Sequence, residues 1–442
     1  MRRVIYYLLR RVGALDRWLR EHLTPAGWLA LGAGAAAAAG GIDLNQTLTA
    51  HAFTFLGALL ILALLASRTF RARTDVTRQM PRYATAGEDF VYRVTVTNRG
   101  SARLVGATLA ERFRDPRPSY EEWRATREPG EQRRNWFDRE IGYFRWRWLI
   151  DRRIPENTVE ATLPPLAPGQ SHSLRLGFLP RRRGRIELSG LSLARTDPLG
   201  LVKGIARVPL QARVIALPKR YRIPPLALPG ARKFQQGGVS LSASVGDSEE
   251  FLSLRDYRPG DPLQRLHWKS FARTGKPIVK EYQDEFFERH ALVLDTGTHR
   301  GEDAAFEDAV AVAASFVYTI DTQECLLDLL FVGGEVKTYT TGRGQSHSEQ
   351  MLEVLAGVTP SRPEEFAALA AAVLARRATV SSVIAVLLAW DQPQREFVAR
   401  ARASGLEVRA LLVCPSGDPP PAEPGLLVLQ PGAIEHGLAQ LQ

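Results

Sequence analysis

The sequence predicts a multidomain chain in three parts: a transmembrane helical hairpin at the N-terminus, an all-β sandwich of immunoglobulin-like kind, and a C-terminal α/β domain of Rossmann type. Three observations carry this. Two apolar runs without formal charge, 26–42 and 48–66, follow one another. Short alternating runs separated by turn residues fill 74–219. Beyond 286, apolar strand-like runs alternate with helical ones. A chain of 442 residues is also too long for one ordinary core.

Residues 1–25 form a basic amphipathic segment. Ile5, Leu8, Leu9, Val12, Leu15 and Leu19 recur at helical spacing among Arg10, Arg11, Arg17 and Arg20, which suits a helix lying on an anionic membrane face. Ala26–Ile42 is rich in Ala and Gly, Asp43–Gln46 is a polar break, and Leu48–Ala66 is strongly apolar. Each run has about the length of a span, roughly 17–25 residues. Small residues let two such helices approach closely. The long extension before the first run disfavours a cleaved signal peptide. Arg68, Arg71, Arg73 and Arg78 follow the second run, so positive charge on both flanks places both ends, and the soluble parts, in the cytoplasm.

Phe90–Thr97 alternates and closes at Asn98-Arg99-Gly100. Leu104–Leu109, Ser173–Leu179, Gly184–Leu193 and Ala206–Leu217 continue the pattern as a sandwich would, within a domain over 74–219. Asp197-Pro198-Leu199-Gly200-Leu201 reads as a structural turn. An insert, 120–156, holds four of the eight Trp and nine Arg. Within it Phe144–Ile150 alternates aromatic with Arg, as a two-faced strand would. Trp beside Arg can meet nucleic acid, membrane or protein, or simply pack by cation–π contact. Interleaved acids argue against nucleic acid, and packing is the preferred reading. Residues 220–245 form a linker rich in Pro and Gly.

The net charge of +11 is uneven: residues 1–80 carry +6, 81–290 carry +14 and 291–442 carry −9. Such asymmetry suits internal docking or a charged partner. Cys325 and Cys414 lie in apolar runs without CxxC spacing, which excludes a disulfide framework and indicates a reducing compartment.

In the last part, 286–442, strands are expected at Ala291–Leu294, Leu326–Val332, Glu335–Thr341, Val383–Ala389, Val408–Val413 and Leu426–Leu429, with helices between them. That order gives a largely parallel sheet covered on both faces. Sites in such folds lie at the carboxyl ends of strands. Asp295 ends the first strand and Asp391 follows the fourth.

The stretch 246–285 reads GDSEEFLSLRDYRPGDPLQRLHWKSFARTGKPIVKEYQDE, with acids first and bases later. Its marked residues are Arg255, Tyr257, Arg258, Gly260, Asp261, His267, Trp268, Lys269, Arg273 and Lys280. We expect it to act as a strap between the sandwich and the α/β domain. Trp268 would be the buried anchor, and Arg255, Arg258 and Arg273 would make forked bonds. The rival expectation leaves Trp268 and Arg273 exposed to meet a partner.

The run LRDYRPGDPLQRLHWKSFARTGKPIVKEY resembles the signature of the bacterial family called "domain of unknown function 58". The resemblance implies a membrane anchor, a von Willebrand A-like fold for 286–442, and a MoxR-type AAA+ ATPase as partner. In von Willebrand A-like domains the first strand ends in Asp-x-Ser-x-Ser, which holds Mg²⁺. Here the run is Asp295-Thr296-Gly297-Thr298-His299, so Gly297 and His299 stand where the serines would be. Asp391 matches the acid after the fourth strand, and Thr340 or Thr341 approximates the threonine ligand. Mg²⁺ demands oxygen donors and Gly offers no side chain, so no tight Mg²⁺ site is expected.

No GxSxG, HExxH, P-loop or GxGxxG run stands in the right context. His267 beside Trp268 reads as a packed, hydrogen-bonded residue. The expected function is a membrane-anchored adaptor or scaffold without catalytic activity, assisting a MoxR-type ATPase in assembling or maturing protein complexes. Two alternatives stay open: a metal-dependent enzyme using Asp295 and Asp391, and an envelope-assembly component that reads membrane or anionic polymer through the Trp/Arg insert.

Overall fold

The computed structural model describes residues 2–40, 47–156, 158–224, 234–235, 250–259, 261, 263–283, 286–287, 289–298, 303–320, 326–341, 345–413 and 423–441. Two compact units divide the chain, Met1–Lys219 and Arg220–Gln442. Cys325, Cys414 and the polar break at 43–46 lie outside the described residues.

The first unit begins with three helices, α1 (Arg2–His22), α2 (Pro25–Gly40) and α3 (Thr47–Ser67). Among the described residues, α3 is the one helix long and apolar enough to cross a membrane, over Leu48–Ser67. The expected first span is shorter: α2 has 16 residues, about 24 Å against a hydrocarbon core of about 30 Å. It packs along α3, where a Cβ on Gly34 would meet Leu56 Cβ at 3.8 Å. The expected amphipathic helix is α1, but its apolar residues divide between two faces. Tyr6 is buried with Ile5 and Leu9 against the insert, whereas Val4, Leu8, Val12 and Leu15 are exposed.

The sandwich follows. Its strands are β1 (Thr74–Gln79), β2 (Tyr83–Thr85), β3 (Phe90–Asn98), β4 (Ala107–Phe113), β5 (Ala161–Thr162), β6 (Ser171–Phe178), β7 (Gly184–Thr196) and β8 (Lys203–Leu217). One sheet has the order β1-β3-β6 and the other β2-β8-β7-β4-β5. Inward positions alternate, as on β3 with Phe90, Tyr92, Val94 and Val96, and both sheets contribute to one core.

The turn between β7 and β8 receives the N-terminal helices. Asp197 accepts backbone N–H bonds from Leu199 (2.8 Å), Leu201 (2.8 Å) and Val202 (2.7 Å). The loop so fixed receives the junction of α1 and α2: Thr24 N–H donates to Leu201 O at 3.1 Å and Thr24 Oγ1 to Gly200 O at 2.6 Å. The end of α3 lands beside it, because Gly204 has no Cβ to strike Ser67 O, which would lie 2.4 Å away.

The insert corrects one expectation. Phe144–Ile150 is not a strand but part of α6 (Tyr143–Asp151), preceded by α4 (Tyr120–Ala125) and α5 (Trp136–Ile141). The aromatic–Arg alternation is compatible with either period, and burial decides between them. Arg145, Trp146 and Leu149 are the buried residues of α6, a helical face. They meet Tyr6 and Trp123 in a separate small core. Packing, the preferred reading for the Trp residues, holds for Trp123 and Trp146, whereas Trp136 is exposed.

In the second unit, β9 (Phe234–Gln235) pairs with a later strand, and β10 (Glu250–Asp256) pairs antiparallel with β11 (Ile278–Gln283) around α7 (Trp268–Thr274). Then come β12 (Phe286–Phe287), β13 (Arg289–Leu294), α8 (Asp303–Ile320), β14 (Leu326–Val332), β15 (Val336–Thr341), α9 (Gln345–Ala356), α10 (Phe366–Ala375), β16 (Ser382–Leu387), α11 (Gln392–Ala403), β17 (Glu407–Val413), β18 (Leu426–Leu429) and α12 (Ile434–Leu438). The six-stranded sheet runs β15-β14-β13-β16-β17-β18, parallel except for β15. From β13 the chain goes first to one side, to β14, and later to the other, to β16. The carboxyl ends of β13 and β16 therefore flank the switch point where such sheets open a crevice.

Candidate functional site

Asp295 occupies that switch point. It follows β13 and is 2% exposed. Its Oδ1 accepts the Gly297 N–H at 2.8 Å, its Oδ2 faces the Leu388 N–H beyond β16 at 3.4 Å, and the Gln394 side chain bonds it from α11. Burial pushes the carboxyl up to about 6, and the N–H groups of Gly297 and Leu388 and the Gln394 side chain pull it back. Beside it, Thr296 donates to Val332 O at 3.0 Å and shares a 2.9 Å contact with Ser361 Oγ. Gln394 Oε1 is buried without a hydrogen-bond partner.

The implied Mg²⁺ does not fit these residues. Both Asp295 oxygens face backbone N–H groups, and the Thr296 hydroxyl is engaged by a carbonyl and by Ser361. Gly297 leaves no room for the missing serine, since a Cβ there would lie 2.9 Å from Pro363 Cα. His299 lies outside the described residues. The threonine expectation fails on topology: Thr340 and Thr341 pair with Asp328 and Leu327 at the start of β14, the opposite end of the sheet. Thr340 donates to Asp328 Oδ1 at 2.7 Å. Asp391 stands exposed ahead of α11 and makes no side-chain cap bond. Among the described residues no group of three or more His, Cys, Asp or Glu could hold a metal ion.

Asp328 is a polar centre that the sequence reading missed. It is fully buried on β14 and accepts a fork from Arg289, at 2.9 and 3.0 Å. The signal was a lone acid inside the apolar run LLDLLFV.

The stretch 250–283 forms a hairpin with a different anchor from the one expected. Trp268 is 62% exposed, whereas Leu266 and Val279 are buried. The reason is local: Leu266 bridges to Val279, and the His267 N–H donates to Ile278 O at 2.8 Å, so α7 starts with Trp268 turned outward. Arg255 does make a fork, to Asp261 at 2.7 and 2.8 Å, inside the hairpin. Arg258 uses its backbone N–H on the same carboxylate at 2.8 Å. The fork from Arg255 holds the Asp261 carboxyl down at about 2. His267 is hydrogen-bonded as expected, Nδ1 lying 2.6 Å from Ser270 Oγ. The Tyr257 N–H donates to Pro277 O at 3.0 Å, Lys280 pairs with Leu254 across the strands, and Lys269 and Arg273 are exposed. Gly260 lies outside the described residues.

This hairpin and the sheet after it match one family model. Residues 253–415 match the family described as "Protein of unknown function DUF58". The DUF58 region thus runs from the hairpin to just past β17. The chain is 27% identical over 176 residues to "Uncharacterized protein YeaD" of Bacillus subtilis (strain 168), covering 39% of this chain and 42% of that protein. It is 29% identical over 186 residues to "Uncharacterized protein Rv1480" of Mycobacterium tuberculosis, covering 39% of this chain and 58% of that protein. The chain spans about half the length of the curated relatives it matches. Among solved structures, a β-glucosidase from Listeria innocua in complex with glucose overlaps 33% of this chain and 16% of its own, at 10% identity and a TM-score of 0.16, which carries no argument.

One titration follows from the switch point of the DUF58 region. The Asp295 carboxyl is raised above its ordinary value of 3.8, so its favourable contribution is fully present below about pH 4 and is lost as pH rises through about 6. Above that pH the fold holds a buried carboxylate. Asp295→Asn removes this titration. The melting difference between variant and wild type should therefore move in the variant's favour from pH 4 to pH 8, by up to about 3 kcal/mol. Parallel profiles would show that Asp295 does not titrate in this window.

Proposed function

We propose that the chain is a membrane-anchored scaffold whose DUF58 hairpin docks a protein partner. The supporting observation is the outward face of 250–283. Trp268 (62% exposed), Leu263 (66%) and Phe271 (37%) are apolar side chains left in solvent, on a hairpin stiffened by the Arg255–Asp261 fork. Aromatic residues and Arg are the usual anchors of protein interfaces. Lys269 and Arg273 beside them favour an acidic partner surface. The MoxR-type AAA+ ATPase implied by the family resemblance is the partner to test. The same reading treats α2 and α3 as a hairpin in the bilayer, with α1 lying on its surface through Val4, Leu8, Val12 and Leu15, and both soluble units in the cytoplasm. Arg charges on both flanks support that orientation; a reporter fused after Gln442 and active only outside would refute it. Binding, rather than catalysis, is the role assigned to the switch point.

The decisive experiment pairs two readouts on the full chain. Trp268→Ala with Phe271→Ala should leave melting within about 0.5 kcal/mol, as exposed substitutions do, while capture of the ATPase falls at least about tenfold, as for loss of an interface hot spot. Lower melting with capture retained would restore the strap and sink the docking face.

A further inference from the structure

The insert keeps large aromatic side chains in solvent. Trp136 is 70% exposed and Phe137 61%, both in the first turn of α5, and Tyr143 is exposed at the start of α6. Gly142, at φ 62°, makes the corner between the two helices. The small core beneath is filled by Tyr6, Trp123, Trp146 and Leu149, without these three rings. Packing therefore accounts for the inner aromatic residues of the insert and not for the outer ones.

The arginines sort in the same way. Arg2, Arg134 and Arg145 are paired with Glu140, Glu128 and Glu131, and Arg147 lies 3.8 Å from Asp151. Arg133 and Arg139, on either side of Trp136 and Phe137 in the chain, are exposed and form no ion pair among the described residues. Exposed rings beside such guanidinium groups match the boundary layer of an anionic bilayer, where aromatic rings sit at headgroup level and basic side chains meet phosphate.

The helix α1 links this corner to the apolar helices. Its 21 residues reach about 32 Å. At one end Leu23 bridges to Val202 of the β7–β8 turn, where α2 begins, and at the other Arg2 makes a fork to Glu140 of α5 at 3.0 and 2.8 Å. Tyr6 locks the helix into the insert's core. Val4, Tyr7, Leu8, Val12, Leu15 and Trp18 are exposed, with Arg11 among them. At 3.6 residues per turn these six form one stripe, on the side of the helix away from Tyr6 and Leu9. A bilayer that meets the stripe along its length would reach the insert at the far end.

We propose that the Trp136–Phe137 corner of the insert is a second membrane contact: its rings enter the interfacial layer of an anionic bilayer, and Arg133 and Arg139 bind lipid phosphate groups. The inference rests on the reading that α1 lies on the bilayer, and carries that contact into the insert. The first unit is then held to the membrane at both ends of α1.

The test uses the full chain in liposomes, with benzoylphenylalanine in place of Leu8, Phe137 or Val91 and photo-crosslinked products identified by mass spectrometry. Leu8 reports on α1 and Phe137 on the insert; Val91, exposed on β3, is the control. Lipid adducts are expected at the Leu8 and Phe137 positions and not at Val91. At Phe137 the yield with phosphatidylglycerol present should exceed that in phosphatidylcholine alone by at least about threefold, the pull of an anionic surface on basic side chains. Arg133→Gln with Arg139→Gln should remove that difference. Lipid adducts at Leu8 but not at Phe137 overturn the proposal and leave the reading of α1 standing; adducts at neither refute both. Adducts at Phe137 to a second copy of the chain instead of lipid, or a lipid preference that survives in the double variant, also overturn it.

Discussion

Arg78→Ala should destabilise the first unit by about 3–5 kcal/mol at pH 8, the cost of leaving a buried charge without its partner. Arg78 reaches from β1 into the sandwich, where its Nη2 donates to Glu111 Oε1 on β4 at 2.6 Å and its Nη1 to Leu210 O on β8 at 3.1 Å. Tyr92 on β3 donates to the other Glu111 oxygen at 2.5 Å. The Arg78 and Glu111 side chains are 3% and 1% exposed, so the network ties the two sheets together inside the core. Burial pushes Glu111 up to about 7, and the Tyr92 hydroxyl and Arg78 guanidinium pull it back. Losing Arg78 removes one of these pulls and raises the carboxyl further. Its raised value favours the fold at low pH and ceases to do so as pH rises through it. The penalty for Arg78→Ala should therefore be smaller at pH 5, where Glu111 is protonated, than at pH 8. A triple variant, Arg78→Met, Glu111→Leu and Tyr92→Phe, should recover most of the loss, because apolar replacement of a buried pair is often neutral or better. Chemical denaturation at the two pH values checks both statements. A loss that is independent of pH and persists in the triple variant would assign the effect to packing alone.

Trp123→Ala should cost a similar amount, about 3–5 kcal/mol for a buried aromatic, but locally. Trp123 is 2% exposed, and its indole Nε1 donates to Gly142 O at 3.1 Å. Gly142, at φ 62°, caps α5 and starts α6; a Cβ there would lie 2.8 Å from the indole. The ring also meets Tyr6 of α1 with centroids 5.9 Å apart, and Tyr6 OH donates to Pro118 O at 3.0 Å. Removing the indole takes away the seat of α1 and of α6 together. Hydrogen exchange should accelerate over 2–22 and 143–151 while the sandwich strands stay protected. Acceleration confined to 120–125 would mean that α1 is held independently of the aromatic cluster.

Arg78 also shows why part of this architecture escaped the sequence. Read along the chain, it belongs with Arg68, Arg71 and Arg73 as a charge flanking the apolar helix α3. In three dimensions it lies on an inward position of β1, opposite an acid 33 residues away. Phe144–Ile150 fits strand and helix periods alike, and the choice fell to Tyr6 and Trp123, which no local window contains. The candidate metal residues failed in the same way. Thr340 has the right chemistry, but β15 runs antiparallel beside β14 and carries it to the wrong end of the sheet.

By itself the sequence determined the order of parts: an amphipathic α1, the apolar α3, alternating strands for the sandwich, and the β–α alternation that puts Asp295 at a carboxyl end. These follow from hydrophobic period and turn residues, which act over a few neighbours. It also fixed the signature from Leu254 to Tyr282 by residue identity. Only the tertiary structure decided which polar groups go inside and which aromatic residues stay out. Trp268 turned outward because Leu266 and Val279 fill the hairpin's buried face first, and the arginines of 114–117, 152–153 and 181–185 became one cavity because three chain reversals meet there. Burial and electrostatic convergence are sums over residues distant in sequence, and they exist only once the chain has closed on itself.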